Sequence, residues 1–255
     1  MVFMSPSLSN RLLGHRSWSR SGRWHRPTTN PHNRFIVRPW RHIIVKGYLV
    51  KLLHINASPR GDDSQSLSLA NHFIDQISVG RVLEIDRIDL FHDDLPAFGP
   101  VATAAKMALF SGKQQTDAEM ATWHAIRAVF DRFAAADTYL FNVPIWNKGI
   151  PYVLKQYIDL VTQPGWSFGF DPKEGYTGLM TGRRAVVVHA SGVWHEAVEA
   201  NFGSDFSTPY LQDWLNFIGI DDVEHLRIQP TVLNADLAAT RSDAQSHTAR
   251  LAQAL

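Results

Sequence analysis

From about residue 48 onwards, the chain alternates between short apolar runs and segments with helical periodicity. Most of the short runs are apolar at nearly every position, which predicts strands buried on both faces, whereas the second run alternates apolar and polar residues. The predicted strands cover residues 48–56, 81–90, 138–143, 184–190 and 222–229, the last of them at an edge of the sheet.

The segments that separate these runs carry apolar residues three or four positions apart, which is the pattern of a helix with one buried face. Thr116 and Glu119 have the spacing of a capping box at the start of a long helix, and Pro151 suits the first position of the next helix. Further helices are predicted from Leu67 to Ile77, around residues 210–218 and over residues 235–254.

Five strands that alternate with five helices predict a doubly wound α/β domain, in which helices cover both faces of a five-stranded parallel sheet. Two stretches, residues 91–114 and 165–182, fit neither pattern and are predicted as long loops. Ligands of such sheets bind outside the carboxyl ends of the strands. A binding site is therefore expected in the loops at residues 57–66, 144–150 and 190–195.

The composition divides the 255 residues into a basic beginning and an acidic remainder. Residues 1–46 hold eight Arg and one Lys without any Asp or Glu, which leaves 16 basic against 24 acidic residues after them. This first segment is rich in Arg, Ser, Pro and Asn and lacks periodicity, so it is predicted to be disordered. A transit peptide, a nucleic-acid-binding arm and a start codon assigned too far upstream are the alternatives. The last is preferred, because the fold begins near Tyr48.

Three absences limit the classes of function. Cysteine does not occur, which excludes disulfides, thiolate catalysis and cysteine-based metal sites. No stretch reaches the eighteen or more apolar residues that a membrane span requires. The twelve histidines show no metal-ligand spacing, so no metal site is predicted. We expect a soluble protein of the cytoplasm.

The first loop, ASPRGDDSQS at residues 57–66, is crowded with hydroxyls where a helix is about to begin. Neither a Gly-rich dinucleotide loop nor a Walker A loop occurs in the chain. The hydroxyls of Ser58, Ser64 and Ser66 can instead join the amides of a helix N-terminus to hold a phosphate monoester. This interpretation requires Asp62 and Asp63 to face solvent. The structural alternative is that Ser64 only caps the helix.

The second loop lies in NVPIWNKGIPYVLKQYIDL, residues 142–160, and places Trp146 and Asn147 at the carboxyl end of a strand. An aromatic side chain there can stack on a planar ring, while nearby amides bond the edge of that ring. The stretch resembles the FMN-dependent NADH azoreductases, a branch of the flavodoxin-like quinone reductases. The pattern of that family is P-M-W/Y-N-F-x-I-P followed by L-K-x-Y-x-D.

The first and third loops carry the same resemblance. The family's first loop has a Ser followed six residues later by Ser-Gln-Ser, and Ser58 and residues 64–66 stand at that separation. The segment ASGV at residues 190–193 matches the family's fourth-strand loop in part. The resemblance extends from about Val50 to the C-terminus. It implies a flavodoxin-like FMN-binding domain over residues 47–255.

The resemblance also implies an activity and a set of site residues. In the activity, NADH or NADPH reduces bound FMN, and an azo compound or a quinone then takes up the two electrons. A homodimer is expected. The implied cofactor-binding residues are Ser58, Arg60, Ser64, Gln65 and Ser66 at the phosphate and Pro144, Ile145, Trp146, Asn147, Lys148, Ser191 and Gly192 at the ring.

Three further residues are candidates for the substrate side of the site. Phe168 and Phe170 are predicted to line the substrate pocket, with a satellite of the core as the alternative. His195 is a candidate to donate a proton or a hydrogen bond to a quinone oxygen, with an ordinary surface histidine as the alternative.

Two residues depart from the family pattern. Lys148 stands where many relatives have Phe, and its charge would raise the flavin potential if it approaches the ring. If Lys148 points to water, it only makes the pocket less apolar. Val193 replaces the second Gly of the fourth-strand loop and is expected to push the flavin outward or to shift the loop.

Two other functions fit the sequence less well. A flavodoxin-type FMN-binding electron carrier without its own nicotinamide site would not need the long stretches 91–114 and 165–182. A nucleic-acid-binding protein acting through the basic segment conflicts with the acidic domain and the sparse aromatic residues of that segment. An FMN-dependent NAD(P)H oxidoreductase without nucleic-acid or membrane partners is therefore the preferred function.

Overall fold

The structure is a computed structural model that describes residues 49–254. The predictions made for the basic segment, residues 1–46, lie outside the described residues. The strands are β1 (Val50–Asn56), β2 (Leu83–Asp89), β3 (Thr138–Pro144), β4 (Phe168–Asp171), β5 (Gly175–Gly178), β6 (Arg184–Ala190) and β7 (Asp222–Ile228). The helices are α1 (Gln65–Ile77), α2 (Pro100–Ser111), α3 (Asp117–Ala134), α4 (Tyr152–Val161), α5 (Ser207–Phe217) and α6 (Leu237–Ala254).

Five strands form one parallel sheet in the order β2-β1-β3-β6-β7. The predicted doubly wound sheet is thereby confirmed, with β7 at an edge as expected. The chain first adds β2 on one side of β1 and then adds β3, β6 and β7 on the other side, so the strand order reverses between β1 and β3. This topological switch point is where such sheets bind ligands.

Each face of the sheet is covered by its own set of helices. On one face, Leu52 and Leu140 of the sheet pack with Phe73 of α1 and Leu251 of α6. On the other face, the core is built from α3, α4 and α5, and its largest fully buried side chains include Phe133, Phe141 and Tyr157. Burial on both faces explains the continuous apolar character of β1, β3 and β6.

The capping box predicted from Thr116 and Glu119 is present at the start of α3. The Thr116 hydroxyl accepts from the Glu119 amide at 3.3 Å, and the Glu119 carboxylate accepts from the Thr116 amide at 2.8 Å. Pro151 lies one position before α4 rather than at its first residue. Helix boundaries commonly shift by that much.

The two stretches predicted as loops contain regular structure, so that expectation was wrong. Helix α2 follows Gly99, begins at Pro100 and ends at Gly112, whose φ of 64° lies in the left-handed region. Its sequence, PVATAAKMALFS, is apolar on nearly every side and therefore lacks the periodic contrast by which the other helices were recognised. Residues 165–182 contain the hairpin β4–β5, which pairs Phe168 with Gly178.

The outer edge of β2 is held by a side chain from α3. Arg132 donates two hydrogen bonds to the Asp86 carboxylate, at 2.7 and 2.6 Å, and a third to the backbone oxygen of Arg87 at 2.5 Å. Next along the strand, the Asp89 amide donates to the Asp93 carboxylate at 3.3 Å. Two of the groups that β2 turns away from β1, the Arg87 oxygen and the Asp89 amide, thus find partners in side chains.

Candidate functional site

The three predicted loops meet at the carboxyl edge of the sheet. The Ala57 amide donates to the backbone oxygen of Asn142 at 3.1 Å, which joins the start of the first loop to β3. The Ile145 amide donates to the Ala190 oxygen at 2.8 Å, which joins the second loop to the end of β6. Since β3 lies between β1 and β6, the loops are neighbours, as predicted.

The first loop buries its three serines and exposes its two aspartates. Ser58, Ser64 and Ser66 are each no more than 2% exposed. Asp62 and Asp63 lie in an exposed 3-10 turn, as an anion site in this loop requires. The loop is therefore polar and closed on the inside, and its carboxylates face solvent.

Ser64 caps α1, and its geometry also suits an anion. Its Oγ accepts from the Leu67 amide at 3.2 Å and lies 3.3 Å from the Oγ of Ser66. The structure thus confirms that Ser64 caps α1. The amides of Gln65 and Ser66, at the first two positions of the helix, have no acceptor within the helix. The hydroxyls of Ser64 and Ser66 therefore lie with these amides at the positive end of the helix dipole, and this donor set fits a phosphate monoester.

The other two residues predicted for the first loop have different surroundings. The Gln65 side chain accepts from the Arg241 guanidinium of α6 at 2.9 Å, which holds its oxygen away from the helix start. Arg60 is exposed. Ser64 and Ser66 are thus the predicted side chains of this loop that the structure brings into contact, and Ser58 is buried near the start of the same loop.

A chain of polar side chains, buried except for the exposed Arg87, lies behind the first loop and was not predicted. Asn142 of β3 donates from its Nδ2 to Asn56 Oδ1 at 2.7 Å and to Ser66 Oγ at 3.5 Å. Its Oδ1 contacts His54 Nε2 at 2.8 Å, and His54 Nδ1 contacts the Arg87 guanidinium at 2.7 Å. We call Arg87, His54, Asn142 and Asn56 the polar chain. Its members come from three strands, so no sequence spacing reveals it.

The second loop is a tight turn with an uncommon backbone. Trp146 and Gly149 exchange two backbone hydrogen bonds of 2.9 Å, and the central residues Asn147 and Lys148 have φ values of 48° and 73°. Two central residues with positive φ define a type I′ turn. A third bond, from the Phe206 amide to the Lys148 oxygen at 2.8 Å, fixes the turn to the segment that precedes α5. The turn therefore presents two exposed side chains from a rigid backbone.

Aromatic side chains flank this turn. The Trp146 ring lies 5.7 Å from the Phe91 ring, which in turn contacts the Tyr152 ring edge-on at 6.0 Å. Pro144 and Ile145 lead into the turn and are half-buried. Phe91 and Tyr152 were not predicted. Phe91 follows shortly after the end of β2, and Tyr152 begins α4, so both lie at the carboxyl edge. A planar ring placed at this edge would meet an aromatic wall.

The third loop is held by the segment that follows β7. The Ser191 oxygen accepts from the Thr231 amide at 2.9 Å, and the Gly192 oxygen accepts from the Val232 amide at 2.7 Å. A Cβ on Gly192 would lie 3.6 Å from the Val232 side chain, which is ordinary contact. The His195 Nδ1 accepts from the Ala197 amide at 3.3 Å, so a neutral His195 carries its proton on Nε2.

The structure does not bring Phe168 and Phe170 to the three loops within one chain. Phe168 packs 4.9 Å from Phe217, at the C-terminal end of α5. The opposite end of this 11-residue helix adjoins the Lys148 turn, roughly 16 Å away. Phe168 thus occupies the position of a core satellite, whereas Phe170 is 61% exposed beside Tyr176.

Residues 49–254 contain neither a metal-binding cluster nor a helix that could cross a membrane. No cluster of three His, Cys, Asp or Glu side chains within this range has the arrangement of a metal site. None of its helices combines the length and the apolar character that crossing a membrane demands.

Comparisons with known proteins agree with this geometry. A family profile described as the flavodoxin-like fold matches residues 50–253. An FMN-dependent NADH:quinone oxidoreductase of Ruegeria pomeroyi is 48% identical over 189 residues, which cover 74% of this chain and 93% of that protein. Another, from Nitratidesulfovibrio vulgaris, is 37% identical over 207 residues, covering 80% of this chain and 99% of that protein.

Solved structures give the same result. An FMN-dependent NADH-azoreductase from Bacillus anthracis, crystallised in complex with FMN, is 28% identical and superposes with a TM-score of 0.72 over 80% of this chain and 98% of that one. A second azoreductase from Bacillus anthracis reaches a TM-score of 0.74 at 22% identity, covering 81% of this chain and 100% of that one, and shows the shared fold. The chain belongs to the flavodoxin-like family that contains the FMN-dependent NADH azoreductases and NADH:quinone oxidoreductases.

Proposed function

We propose that this protein is an FMN-dependent NADH oxidoreductase that reduces quinones and azo compounds. The observation that carries the proposal is the convergence of three loops at the β1/β3 switch point, one of which buries three serine hydroxyls at a helix N-terminus. The relatives named above include two NADH:quinone oxidoreductases and an NADH-azoreductase. These relatives favour the enzyme over a flavodoxin-type electron carrier.

The phosphate end of FMN is assigned to the first loop. The hydroxyls of Ser58, Ser64 and Ser66, with the free amides at the start of α1, supply donors to the phosphate oxygens. Since the aspartates of this loop are exposed, the phosphate is not repelled from within. Arg60, which is exposed in the same loop, adds a positive charge beside the site.

The ring end is assigned to the second and third loops. When bound, FMN takes two electrons from NADH and passes them to the acceptor. The chain's own part is to position the ring and to exclude water. The backbone from Pro144 to Lys148 and from Ser191 to Gly192 would hold the ring, and Trp146 would pack against it. His195 offers its Nε2 proton to an acceptor oxygen.

The substrate pocket is proposed to be completed by a second copy of the chain. Phe168 and Phe170 lie at the far end of α5 within one protomer, yet Phe170 is exposed and available to a neighbour. A homodimer in which this hairpin approaches the partner's ring site would reconcile the two observations. NADPH as a second donor, a cytoplasmic location, and residues 47–255 as a flavodoxin-like FMN-binding domain belong to the same proposal.

The phosphate assignment is tested with the double variant Ser64→Ala, Ser66→Ala. Each hydroxyl lost from a charged acceptor costs about 1.5–3 kcal/mol, so FMN affinity is expected to fall by about a hundredfold or more. Riboflavin affinity is expected to stay within about twofold, because riboflavin has no phosphate. Ser68→Ala, on the exposed side of α1, is the matched control. Full FMN affinity in the double variant would refute the assignment.

The activity itself is tested by absorbance. Protein saturated with FMN is expected to lose its flavin absorbance when NADH is added without oxygen, and to regain it when a quinone follows. Bleaching by dithionite but not by NADH would instead select the electron carrier.

A further inference from the structure

The polar chain behind the first loop has a direction, and Arg87 sets it. A guanidinium group only donates hydrogen bonds, so His54 Nδ1, 2.7 Å from Arg87 Nη1, accepts. A neutral His54 then carries its proton on Nε2 and donates it to Asn142 Oδ1 at 2.8 Å. Burial lowers the pKa of His54 from 6.5 to about 4, which keeps the imidazole neutral near pH 7.

The orientation of Asn142 follows from that of His54. With its Oδ1 committed to His54, Asn142 turns its Nδ2 towards Asn56 Oδ1 and Ser66 Oγ. Asn56 is fixed from the other side, because its Nδ2 donates to the Asp89 carboxylate at 2.8 Å. Both amides therefore have one possible orientation, and every donor of Asn142 faces the first loop.

This direction decides what the loop offers to a ligand. The Ser58 amide is used by Asn56 Oδ1 at 3.0 Å, so Ser58 contributes its hydroxyl and not its amide. Ser66 Oγ accepts from Asn142, and Ser64 Oγ accepts from the Leu67 amide. A bond between Ser64 and Ser66 consumes at most one of their two protons. At least one hydroxyl proton is thus left available to an anion.

We propose that Asn142, oriented by His54 and Arg87, is a positioning residue that makes the site prefer flavin mononucleotide to riboflavin. It touches neither the ring nor the phosphate. It acts through Ser66 and Asn56 by keeping acceptor oxygens turned inward and donors turned towards the loop. This inference rests on the proposed function, because it assigns the first loop to the phosphate.

The main test is Asn142→Asp in the full-length protein. The aspartate has nearly the same shape and still accepts from His54, but it replaces the donor to Ser66 with a carboxylate oxygen behind the anion site. The dissociation constants of FMN and of riboflavin are measured by flavin fluorescence on protein stripped of flavin. We expect FMN affinity to fall by about tenfold or more and riboflavin affinity to stay within about twofold.

Two further variants make the result specific. Arg87→Met removes the group that fixes the His54 tautomer at an exposed position, where folding tolerates the change, and is expected to reduce the FMN preference several-fold. Asn71→Asp is the matched control, since the exposed Asn71 only accepts from Arg87 at 3.3 Å and an aspartate accepts equally well. It is expected to leave both affinities unchanged.

The outcomes separate this inference from the proposed function. If wild-type protein binds FMN no better than riboflavin, the phosphate assignment fails. If wild type prefers FMN but Asn142→Asp and Arg87→Met leave that preference intact, or weaken both flavins equally, only the positioning role fails. Nitrogen-15 NMR supplies a readout without flavin: a proton on His54 Nε2 supports the direction of the polar chain, and a proton on Nδ1 overturns it.

Discussion

Lys148 occupies a backbone conformation that glycine adopts more readily. Its φ of 73° lies in the left-handed region, where a side chain costs on the order of 1 kcal/mol. The bonds of Trp146 with Gly149, together with the bond from Phe206, hold the turn in place in spite of this cost. Strain that persists beside a ligand site indicates that the side chain has a use there.

Two substitutions separate the strain at Lys148 from its charge. Lys148→Gly is expected to raise the free energy of unfolding by about 1 kcal/mol, measured in urea, whereas Lys148→Gln keeps the strain and leaves stability unchanged. Both variants remove the positive charge and are expected to lower the flavin midpoint potential by about 20 mV, which corresponds to about 1 kcal/mol for two electrons. An unchanged potential in both would mean that Lys148 points to water.

At this scale, the sequence identified candidate residues for ligand contact but not the residues that support them. Ser58, Ser64 and Ser66 are close in the chain, and their helix-capping context is a local signal. Asn142 and His54 are 88 residues apart and become partners only when β1 and β3 pair. The sequence around Asn142 or His54 alone does not show that the two side chains will be partners.

Among the elements, the hairpin β4–β5 is fixed by the close approach of two glycines. A Cβ placed on Gly178 would lie 2.2 Å from the amide nitrogen of Gly219, and both contacting groups are backbone. Gly219 itself has a φ of 96°. The adjoining Met180 amide donates to the Ile218 oxygen at 2.8 Å. The hairpin is thus anchored directly to the end of α5.

Gly178→Ala is expected to destabilise the protein by roughly 3 kcal/mol or more, because neither backbone can move away without breaking the anchor. Gly169→Ala, in the paired strand, is the matched control, since its Cβ would meet its nearest neighbour at 3.9 Å. Thermal unfolding of the two variants compares them directly. Equal melting temperatures would show that the close approach of the glycines does not limit stability.

Elements with a strong periodic or local signal were predictable, and those without one were not. Strands β1, β3 and β6 follow from continuous burial, β2 follows from its alternation of apolar and polar residues, and the capping box of α3 follows from a three-residue spacing. Helix α2 was missed because its Ala-rich sequence has no polar face. The Pro100 start and Gly112 end are punctuation that would have identified it. The hairpin depends on contacts with α5, which local sequence does not record.

For the whole molecule, two buried histidines, His54 and His189, and the half-buried His225 couple folding to pH. Burial lowers the pKa of His54 and of His225 from 6.5 to about 4, and lowers the pKa of His189 well below its usual range. His189 contacts His225 at 3.0 Å and the Ser207 hydroxyl at 3.4 Å, deep beside the third loop. The folded protein therefore keeps all three rings neutral at pH values where the unfolded chain protonates them.

The free energy of unfolding is expected to fall as pH drops below 6.5 towards 4. In that window the unfolded chain binds about three more protons than the folded one, so the slope near pH 5 is about 4 kcal/mol per pH unit. Urea unfolding at several pH values measures it. His225→Gln is expected to reduce the slope by about a third, and the exposed His124→Gln to leave it unchanged. A flat profile between pH 6.5 and 5 would contradict this account.

The contacts of Arg132 have a consequence for the tendency of this protein to aggregate at high concentration. Leu90 donates its amide to Asn56 of β1, so the alternate residues Arg87 and Asp89 turn their peptide groups away from the sheet. An open row of such groups is a template on which a foreign strand can dock and from which fibrils can grow. Arg132 occupies the outward oxygen of Arg87, and Asp93 occupies the outward amide of Asp89. These two contacts remove one acceptor and one donor from the row of groups on β2 that a foreign strand could use, and thereby reduce the tendency of this edge to aggregate without covering it with another element.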